Sequence, residues 1–304
     1  MTHATGRRVA VSGASGFIGG ALVDSFRADG WEVLRLTRRR AGAEEVEWRP
    51  EAGYVDAARL EGIDAFVHLA GESINGLWTP GKKRAILESR ARGTRLLATT
   101  LASLQRPPRI FVSASGVGYY GNAGEDVLRE DSPPGDDFLA RVCVAWEDGA
   151  DAARAAGLRV VHPRFGLVLD PAGGALAMMM PAFRLGAGAR LGSGRQWMSW
   201  ISRTDAVRTV RFAIDQAEVS GAVNATSPQP VRNEEFTRAL ADEVDRPAFL
   251  RIPSFFLRNF TGGMGEALLL ASQRAVPAAL DAHGFAFEHP SIGTALAAGL
   301  DGRG

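Results

Sequence analysis

Three glycines follow the first apolar run of the chain at intervals of three residues. The run 8–12 is followed by Gly13, Gly16 and Gly19, and the residues from 17 onward have the spacing of a helix. The first glycine permits a tight turn, the second lets the backbone approach a phosphate, and the third lets the helix pack on the strand. Because a helix N-terminus attracts anions, this pattern predicts a dinucleotide pyrophosphate site, and a purely structural turn is the alternative. The residues expected to form it are Gly13, Ser15, Gly16, Phe17, Ile18 and Gly19.

The end of the second predicted strand, 32–37, indicates which dinucleotide is bound. A site for NAD usually has Asp or Glu about 20 residues after the glycines, where the carboxylate holds the ribose hydroxyls. No acid occurs between Glu32 and Glu44, and Thr37, Arg38 and Arg39 stand there instead. Arginines beside a hydroxyl suit a 2′-phosphate. We therefore predict NADP(H) as the cofactor, with a solvated basic turn as the alternative.

Apolar runs alternate with helical patterns through the first half of the chain. Strands are predicted at 8–12, 32–37, 65–69, 109–113 and 158–162, and helices at 17–29, 82–103 and 138–156. This alternation is typical of an α/β fold, a Rossmann-type doubly wound parallel sheet.

After residue 164 the pattern changes to loops and short helices, including a glycine- and arginine-rich stretch at 186–195 that predicts loop. We expect an NADP-binding domain at 1–165, to which 203–227 return as a helix and a strand. The remaining segments, 166–202 and 228–304, are expected to form a smaller, mainly helical lobe on the substrate side.

Composition excludes several functions. The 304 residues carry a formal net charge of +1, without the basic surface that nucleic acid requires. A single cysteine and widely spaced histidines exclude a disulfide and make a metal site unexpected. No apolar run approaches the ~20 residues needed to cross a bilayer, and the polar N-terminus has no signal-peptide core. A cytoplasmic location with no membrane partner is expected. Of the 35 basic residues, only Lys82 and Lys83 are lysines.

Further motifs extend over almost the whole chain, and together they resemble an extended short-chain dehydrogenase/reductase. More narrowly, the chain is similar to the atypical epimerase family 39 subgroup. One departure is Leu77, where the subgroup usually has an arginine, which affects any role of the loop 72–79. The motifs are the segments 68–72, 89–90, 93–94, 113–121, 146–147, 163–169, 199–201 with Asp205, 272–277 and 284–285.

The resemblance implies cofactor contacts at matching positions. Thr37 and Arg38 would hold the adenosine phosphate. Leu69 and Ala70, followed by Gly71, would line the adenine-ribose side. Arg90 would reach the cofactor from its helix, and Val168 would lie near the nicotinamide end. For Leu69 and Val168, core packing is an alternative that is compatible with this role.

Ordinary members of the superfamily exchange a proton through a Tyr-x-x-x-Lys pair, and this chain lacks it. Counted back from Trp146, the tyrosine and lysine positions fall on Leu139 and Cys143. Leucine has no proton to exchange, and a helical cysteine is usually a small buried hydrophobe. Ser115 matches the catalytic Ser/Thr position and is the remaining catalytic candidate. The nearby phenols, at 119 and 120, are expected to build a loop.

Two functions are compatible with these residues. One is an NADP(H)-dependent oxidoreductase or epimerase-like enzyme with a modified proton-transfer group, acting on a small molecule that the motifs leave open. The other is a catalytically silent NADPH-binding sensor or regulator, and a homodimer formed through helices is compatible with either. On the substrate side, Trp197, Trp200 and 178–180 are candidates for an apolar pocket or for core packing. Arg195 and Arg203 are candidates for binding an anion or for solvated surface.

Overall fold

A mostly parallel sheet forms the centre of the computed structural model, which describes residues 6–259 and 261–301. In chain order the strands are β1 Arg8–Ser12, β2 Glu32–Thr37, β3 Glu45–Arg49, β4 Tyr54–Val55, β5 Ala65–His68, β6 Ile110–Ser113, β7 Ser115–Gly116, β8 Val127–Leu128, β9 Arg159–Phe165, β10 Leu167–Leu169, β11 Ala189–Leu191, β12 Trp197–Met198, β13 Trp200–Ser202, β14 Gly221–Ala225, β15 Val231–Arg232, β16 Leu250–Ile252 and β17 Arg274–Ala275. The helices are α1 Phe17–Ala28, α2 Pro80–Ala102, α3 Phe138–Asp148, α4 Asp151–Ala155, α5 Gly174–Arg184, α6 Arg203–Asp215, α7 Asn233–Glu243, α8 Ser254–Asn259, α9 Ala278–Ala282 and α10 Ile292–Asp301.

The strand order of the central sheet is β14-β9-β6-β5-β1-β2-β3-β4, and β7 pairs with β9. All of these pairs are parallel except β3 with β4. From β1 the chain builds outward to one side through β2 and β3, and then to the other through β5 and β6. Ser12, His68 and Ser113 stand side by side in register, so three strands end together. In such a doubly wound sheet, ligands bind outside the carboxyl ends, at the point where the strand order reverses.

Both faces of the sheet are covered by helices, which explains the continuous apolar runs of the strands. Val9 and Val11 of β1 belong to a core that α1 and α6 cover, with side chains such as Phe26 and Val210. Ala10, between them, faces a second core that α2 and α4 cover. The alternation along β1 therefore decides which helices each residue meets.

The C-terminal lobe has a core of its own. Leu176 of α5, Phe236 of α7 and Leu296 of α10 pack together around Trp200. Leu280 and Phe285 instead lie in the core beneath α1 and α6. The segment around α9 therefore packs on the sheet rather than on the lobe. In the part of the chain that the structure describes, no helix is long and apolar enough to cross a membrane.

Two predicted elements differ from the structure. The single helix expected at 138–156 is divided into α3 and α4 by Gly149 and Ala150. A Cβ atom on Gly149 would lie 2.9 Å from the Cβ of Thr94, so α3 ends where α2 crosses most closely. The stretch 186–195, expected to be loop, includes β11, which pairs with β16. The partner strand is distant in sequence, so the local composition of 186–195 could not predict the pairing.

Candidate functional site

The glycine turn lies between β1 and α1, at the carboxyl edge of the sheet. Gly13 has φ +72°, and a Cβ atom there would lie 2.8 Å from the backbone nitrogen of Ala70. A Cβ on Gly19 would lie 2.1 Å from the carbonyl oxygen of Gly13. The fold itself therefore requires these two glycines. Gly16 has an ordinary φ of −79°, is exposed like Ser15, and begins α1 without a side-chain cap. Its side of the turn is open to a ligand.

Phe17 and Ile18, the next two predicted residues, also pack within the protein. A Cβ on Gly173 would lie 2.6 Å from the Phe17 ring, so this ring holds the loop before α5 against the glycine turn. The Arg203 guanidinium lies 5.4 Å from the ring centre and pairs with Asp170 at 3.0 Å. Ile18 packs against the core beneath α1. Arg203, a candidate for binding an anionic substrate, is therefore already engaged.

Thr37, Arg38 and Arg39 follow β2 at the same edge of the sheet. The Thr37 hydroxyl accepts a hydrogen bond from the backbone N–H of Arg39 at 3.2 Å. Both arginine side chains are exposed, and within the described ranges neither forms an ion pair. A hydrogen bond from Lys82 lowers the pKa of Glu72, and the charges of Arg90 and Arg38 contribute to the shift. The Arg38 charge therefore acts across the edge on the loop that follows β5.

That loop holds Leu69, Ala70 and Gly71, all predicted contacts, and α2 clamps it. Ser89 accepts a hydrogen bond from the Glu72 N–H at 3.0 Å. Arg90 donates through Nη1 to the Glu72 carbonyl at 2.9 Å. A Cβ on Gly71 would lie 3.0 Å from the Arg90 Cζ, so the guanidinium lies directly beneath the loop.

The Arg90 guanidinium is itself largely surrounded by protein. It stacks on the Trp146 ring at 4.7 Å, and burial lowers its pKa. No carboxylate pairs with it in the described part of the chain. Buried cations are normally paired, so the cation beneath this loop can accept an anion.

A buried histidine underlies the same edge, and sequence reasoning missed it. His68 Nδ1 lies 2.5 Å from the Ser12 hydroxyl, and its ring is completely buried. Burial, assisted by the charge of Arg90, lowers the pKa of His68 to about 3. The alternation along 65–68 carried the signal, because it places His68 on the same face as Phe66. A neutral His68 holds the ends of β1 and β5 together.

Ser115, the catalytic candidate, begins β7 beside α3. It is 4% exposed, and its hydroxyl oxygen makes no hydrogen bond of full geometry with any described residue. The hydroxyl contributes to lowering the pKa of both Cys143 and Glu147, which places it next to these two side chains. The Ser115 hydroxyl therefore lies beside Glu147 and beside Cys143, which stands at the position of the usual lysine.

Leu139 and Cys143 do occupy the face of α3 that meets the turn after Ser115. A Cβ on Gly118 would lie 3.3 Å from the Cβ of Leu139 and 3.8 Å from the Cys143 sulfur. Both side chains are buried. Burial, with the repulsion of Glu147, raises the pKa of Cys143 to about 11. The thiol is therefore protonated at neutral pH and unsuited to acid–base work.

A buried ion pair gathers several of the motif residues. Arg164 binds Glu147 through two hydrogen bonds of 2.8 and 2.9 Å. Burial would raise the pKa of Glu147, but the hydrogen bonds and charge of Arg164 outweigh it and lower the pKa. Arg164 also donates to the Tyr120 hydroxyl, which donates to Asn224 Oδ1 at 2.7 Å. Burial raises the pKa of Tyr120 to about 12. The network fixes the loop at 117–120 and gives Tyr120 a structural role.

The lobe candidates divide between core and surface. Trp200 is completely buried and donates its indole N–H to the Gln229 carbonyl, so core packing accounts for it. Trp197 donates to Glu125 and stacks between two arginines. Arg195 is exposed. Val168 pairs with Ile201 between β10 and β13, and it is half-buried at the seam between sheet and lobe.

A glycine turn at the reversal point of a doubly wound parallel sheet defines a Rossmann-type dinucleotide-binding protein. Residues 9–225 match the NAD dependent epimerase/dehydratase family. The chain belongs to that family. Residues 252–298 also match a domain of unknown function, DUF1731.

Relatives of nearly the same length have similar sequences. The epimerase family protein Mb2239 of Mycobacterium bovis is 46% identical over 290 residues, which cover 95% of this chain and 96% of the relative. The human epimerase family protein SDR39U1 is 36% identical over 295 residues, covering 95% and 98%.

Two solved structures have closely similar folds. The crystal structure of human SDR39U1 (isoform 2) with NADPH superimposes with a TM-score of 0.87 at 33% identity, covering 97% of this chain and 99% of that one. A nucleoside-diphosphate sugar epimerase from Corynebacterium glutamicum gives 0.82 at 35% identity, covering 97% of this chain and 58% of that one. The resemblance to the epimerase family 39 subgroup, and the fold class, are confirmed.

Proposed function

We propose that this protein binds NADP(H) in preference to NAD(H) and acts as an oxidoreductase or epimerase-like enzyme on a small molecule. The observation that carries the cofactor preference is the pair Arg38 and Arg39. Both are exposed at the end of β2, and no described carboxylate forms an ion pair with either. Arginines bind phosphate through strong, charge-assisted and often bidentate hydrogen bonds. NADPH in the human relative's structure supports the same choice.

The residues present fit the cofactor along its whole length. The pyrophosphate would lie against the exposed turn at Ser15 and Gly16, at the N-terminus of α1. Thr37 and the two arginines would hold the adenosine phosphate. The segment 69–71 would line the adenine ribose, and Val168 the nicotinamide end. Arg90 would reach the cofactor from α2 and would also hold the loop at Gly71 in place.

The bound cofactor would supply or accept a hydride, and the protein would orient the substrate. Ser115 would donate a hydrogen bond to a substrate oxygen in place of its weak contacts with Cys143 and Glu147. Leu139 has no proton, and the raised pKa of Cys143 keeps its proton in place. In this proposal the proton is therefore exchanged with water, and turnover is slow.

A second candidate function is an NADPH sensor without turnover. The observation that favours it is the burial of Leu139 and Cys143, which fill the positions of the usual acid–base pair with packed side chains. A single-turnover assay separates the two candidates. In the assay, NADPH-loaded protein is mixed with a panel of carbonyl compounds and sugar nucleotides, and NADPH absorbance is followed. Oxidation with any compound supports the enzyme, whereas tight NADPH binding without oxidation favours the sensor.

Calorimetric titration with NADPH and NADH tests the cofactor preference. One charge-assisted contact contributes ~1.5–3 kcal/mol, so NADPH should bind at least about tenfold more tightly. Arg38→Ala should remove most of that difference. Arg40→Ala is the matched control, because it removes the same charge from an exposed position two residues further along. It should leave the preference intact.

Equal affinities for the two cofactors in the unmodified protein would refute the preference. An equal loss in the Arg38 and Arg40 variants would show that net charge, rather than a specific contact, attracts the phosphate. Thermal unfolding of each variant establishes that the fold is retained.

A further inference from the structure

The two lysines of this arginine-rich chain occur together at the start of α2, and the structure gives them different surroundings. Lys82 pairs with Glu72 at 2.6 Å. Lys83 belongs to the stripe of α2 that continues through Ile86, Arg90 and Gly93, residues that face the sheet and α3. Successive members of the stripe are three or four residues apart and therefore share one face of the helix. Lys83 is the first of them along the chain and lies nearest the carboxyl edge of the sheet.

The ammonium group of Lys83 is held by aromatic rings. Its Nζ lies 5.4 Å from the ring centre of Phe138 and 5.9 Å from that of Trp78. The two rings contact each other edge to face. The Trp78 indole N–H donates to the Ile74 carbonyl at 2.7 Å, which fixes the ring. Among the residues that the structure describes, Lys83 forms no ion pair. Rings attract an ammonium but leave its N–H donors unused.

These rings border the substrate side of the site. Phe138 precedes Leu139, which stands at the position of the usual tyrosine and packs on the turn after Ser115. Leu139 and Trp78 share an apolar cluster with Met264 and Leu268, from the segment that the domain of unknown function matches. The Lys83 ammonium, which forms no ion pair with any described residue, therefore lies beside an apolar wall.

We propose that Lys83 binds the carboxylate of a substrate whose body is apolar, such as a 2-oxo acid. The inference rests on the proposed function and specifies its substrate class. The apolar wall would contact the body of such an acid, while the compact ammonium would bind its carboxylate. Lysine presents its charge as a compact ammonium on a flexible stem, whereas the guanidinium of the chain's other basic residues is larger and planar.

The test compares two probes that share a ketone and a phenyl ring. Phenylpyruvate carries a carboxylate, and phenylacetone does not. Both are titrated calorimetrically into the protein with and without NADPH. The NADPH-loaded protein should bind phenylpyruvate at least about tenfold more tightly, the size expected for one charge-assisted hydrogen bond. Lys83→Met should abolish the difference, and Lys83→Arg should reduce it.

Arg84→Met is the control, because it removes one positive charge from the next, exposed position of the same helix. It should leave the discrimination unchanged. Equal binding of the two probes by the unmodified protein, or a preference that survives in Lys83→Met, would overturn the proposal. If the unmodified protein did not bind NADPH, this result would instead refute the proposed function. If Lys83→Met unfolds at a lower temperature than the unmodified protein, the test uses Lys83→Arg, which retains the charge. A reduced preference for phenylpyruvate in that variant supports the proposal, and an unchanged preference contradicts it.

Discussion

Replacing Gly16 by aspartate separates the ligand-binding role of the glycine turn from its role in folding. Gly13 and Gly19 are unsuitable for this purpose, because a side chain at either would collide with backbone atoms at 2.8 and 2.1 Å. A Cβ on Gly16 would meet only the carbonyl oxygen of Gly13, at 3.1 Å. That contact is tight, and a small shift of the turn relieves it. Gly16 also has a φ of −79°, which any residue adopts.

The folded protein should tolerate this aspartate well. α1 begins without a side-chain cap, and its first turn holds no acid. Aspartate is among the best N-cap residues, and its charge complements the helix dipole by ~0.3–1 kcal/mol. This gain offsets the tight contact with the Gly13 carbonyl. The melting temperature of Gly16→Asp should therefore stay close to that of the unmodified protein.

Cofactor binding should respond in the opposite direction. A carboxylate ~4 Å from a phosphate charge is repelled by about 4 kcal/mol at the effective dielectric of a protein surface. Salt and solvent reduce this value, so we expect a loss of about 2–4 kcal/mol, or roughly 30- to 900-fold in NADPH affinity. Gly16→Asn has the same size without the charge and should lose much less.

The assay is calorimetric titration of both variants with NADPH at low and high salt. Because the Debye length shrinks to about 3 Å at 1 M salt, the difference between Asp and Asn should diminish there. Similar losses in the two variants, independent of salt, would show that no phosphate approaches Gly16. Normal binding by Gly16→Asp would show that the dinucleotide site is misplaced.

Two further predictions concern buried groups. Burial lowers the pKa of His68 to about 3 and that of His162 to about 4, both from 6.5, so these histidines gain protons on unfolding. Stability is complete above pH 6.5, and the unfolding free energy from urea titration should fall by about 1.4 kcal/mol per pH unit for each histidine as the pH drops toward 4. His68→Gln should reduce the slope of the unfolding free energy against pH, and the control His283→Gln, at an exposed position, should not. An equal slope in His68→Gln and the unmodified protein would show that His68 does not contribute to it. Ser115→Ala should slow any NADPH oxidation about tenfold, the effect of one lost hydrogen bond, without weakening NADPH binding. Cys143→Ala should change neither, and a large loss there would make the thiol functional.

Features that depend on neighbours along the chain could be predicted from the amino-acid sequence alone. The turn at Gly13, the first helix and the arginines after β2 could all be predicted, because spacings of a few residues decide them. The alternating apolar strands likewise implied a sheet covered on both faces. Family resemblance added the positions of Leu139 and Cys143, which face the turn after Ser115 in the structure.

The contacts of the motif residues, by contrast, became known only from the folded chain. Arg90 was expected to reach the cofactor from its helix, and the structure adds that its guanidinium lies beneath the loop at Gly71 and binds a backbone carbonyl. Glu147 and Arg164 are 17 residues apart in the chain, yet they form one buried ion pair. Lys83 lies beside the rings of Trp78 and Phe138 because α2, α3 and the preceding loop converge there. Such partners are chosen by the packing of distant segments, and no local spacing in the sequence records that choice.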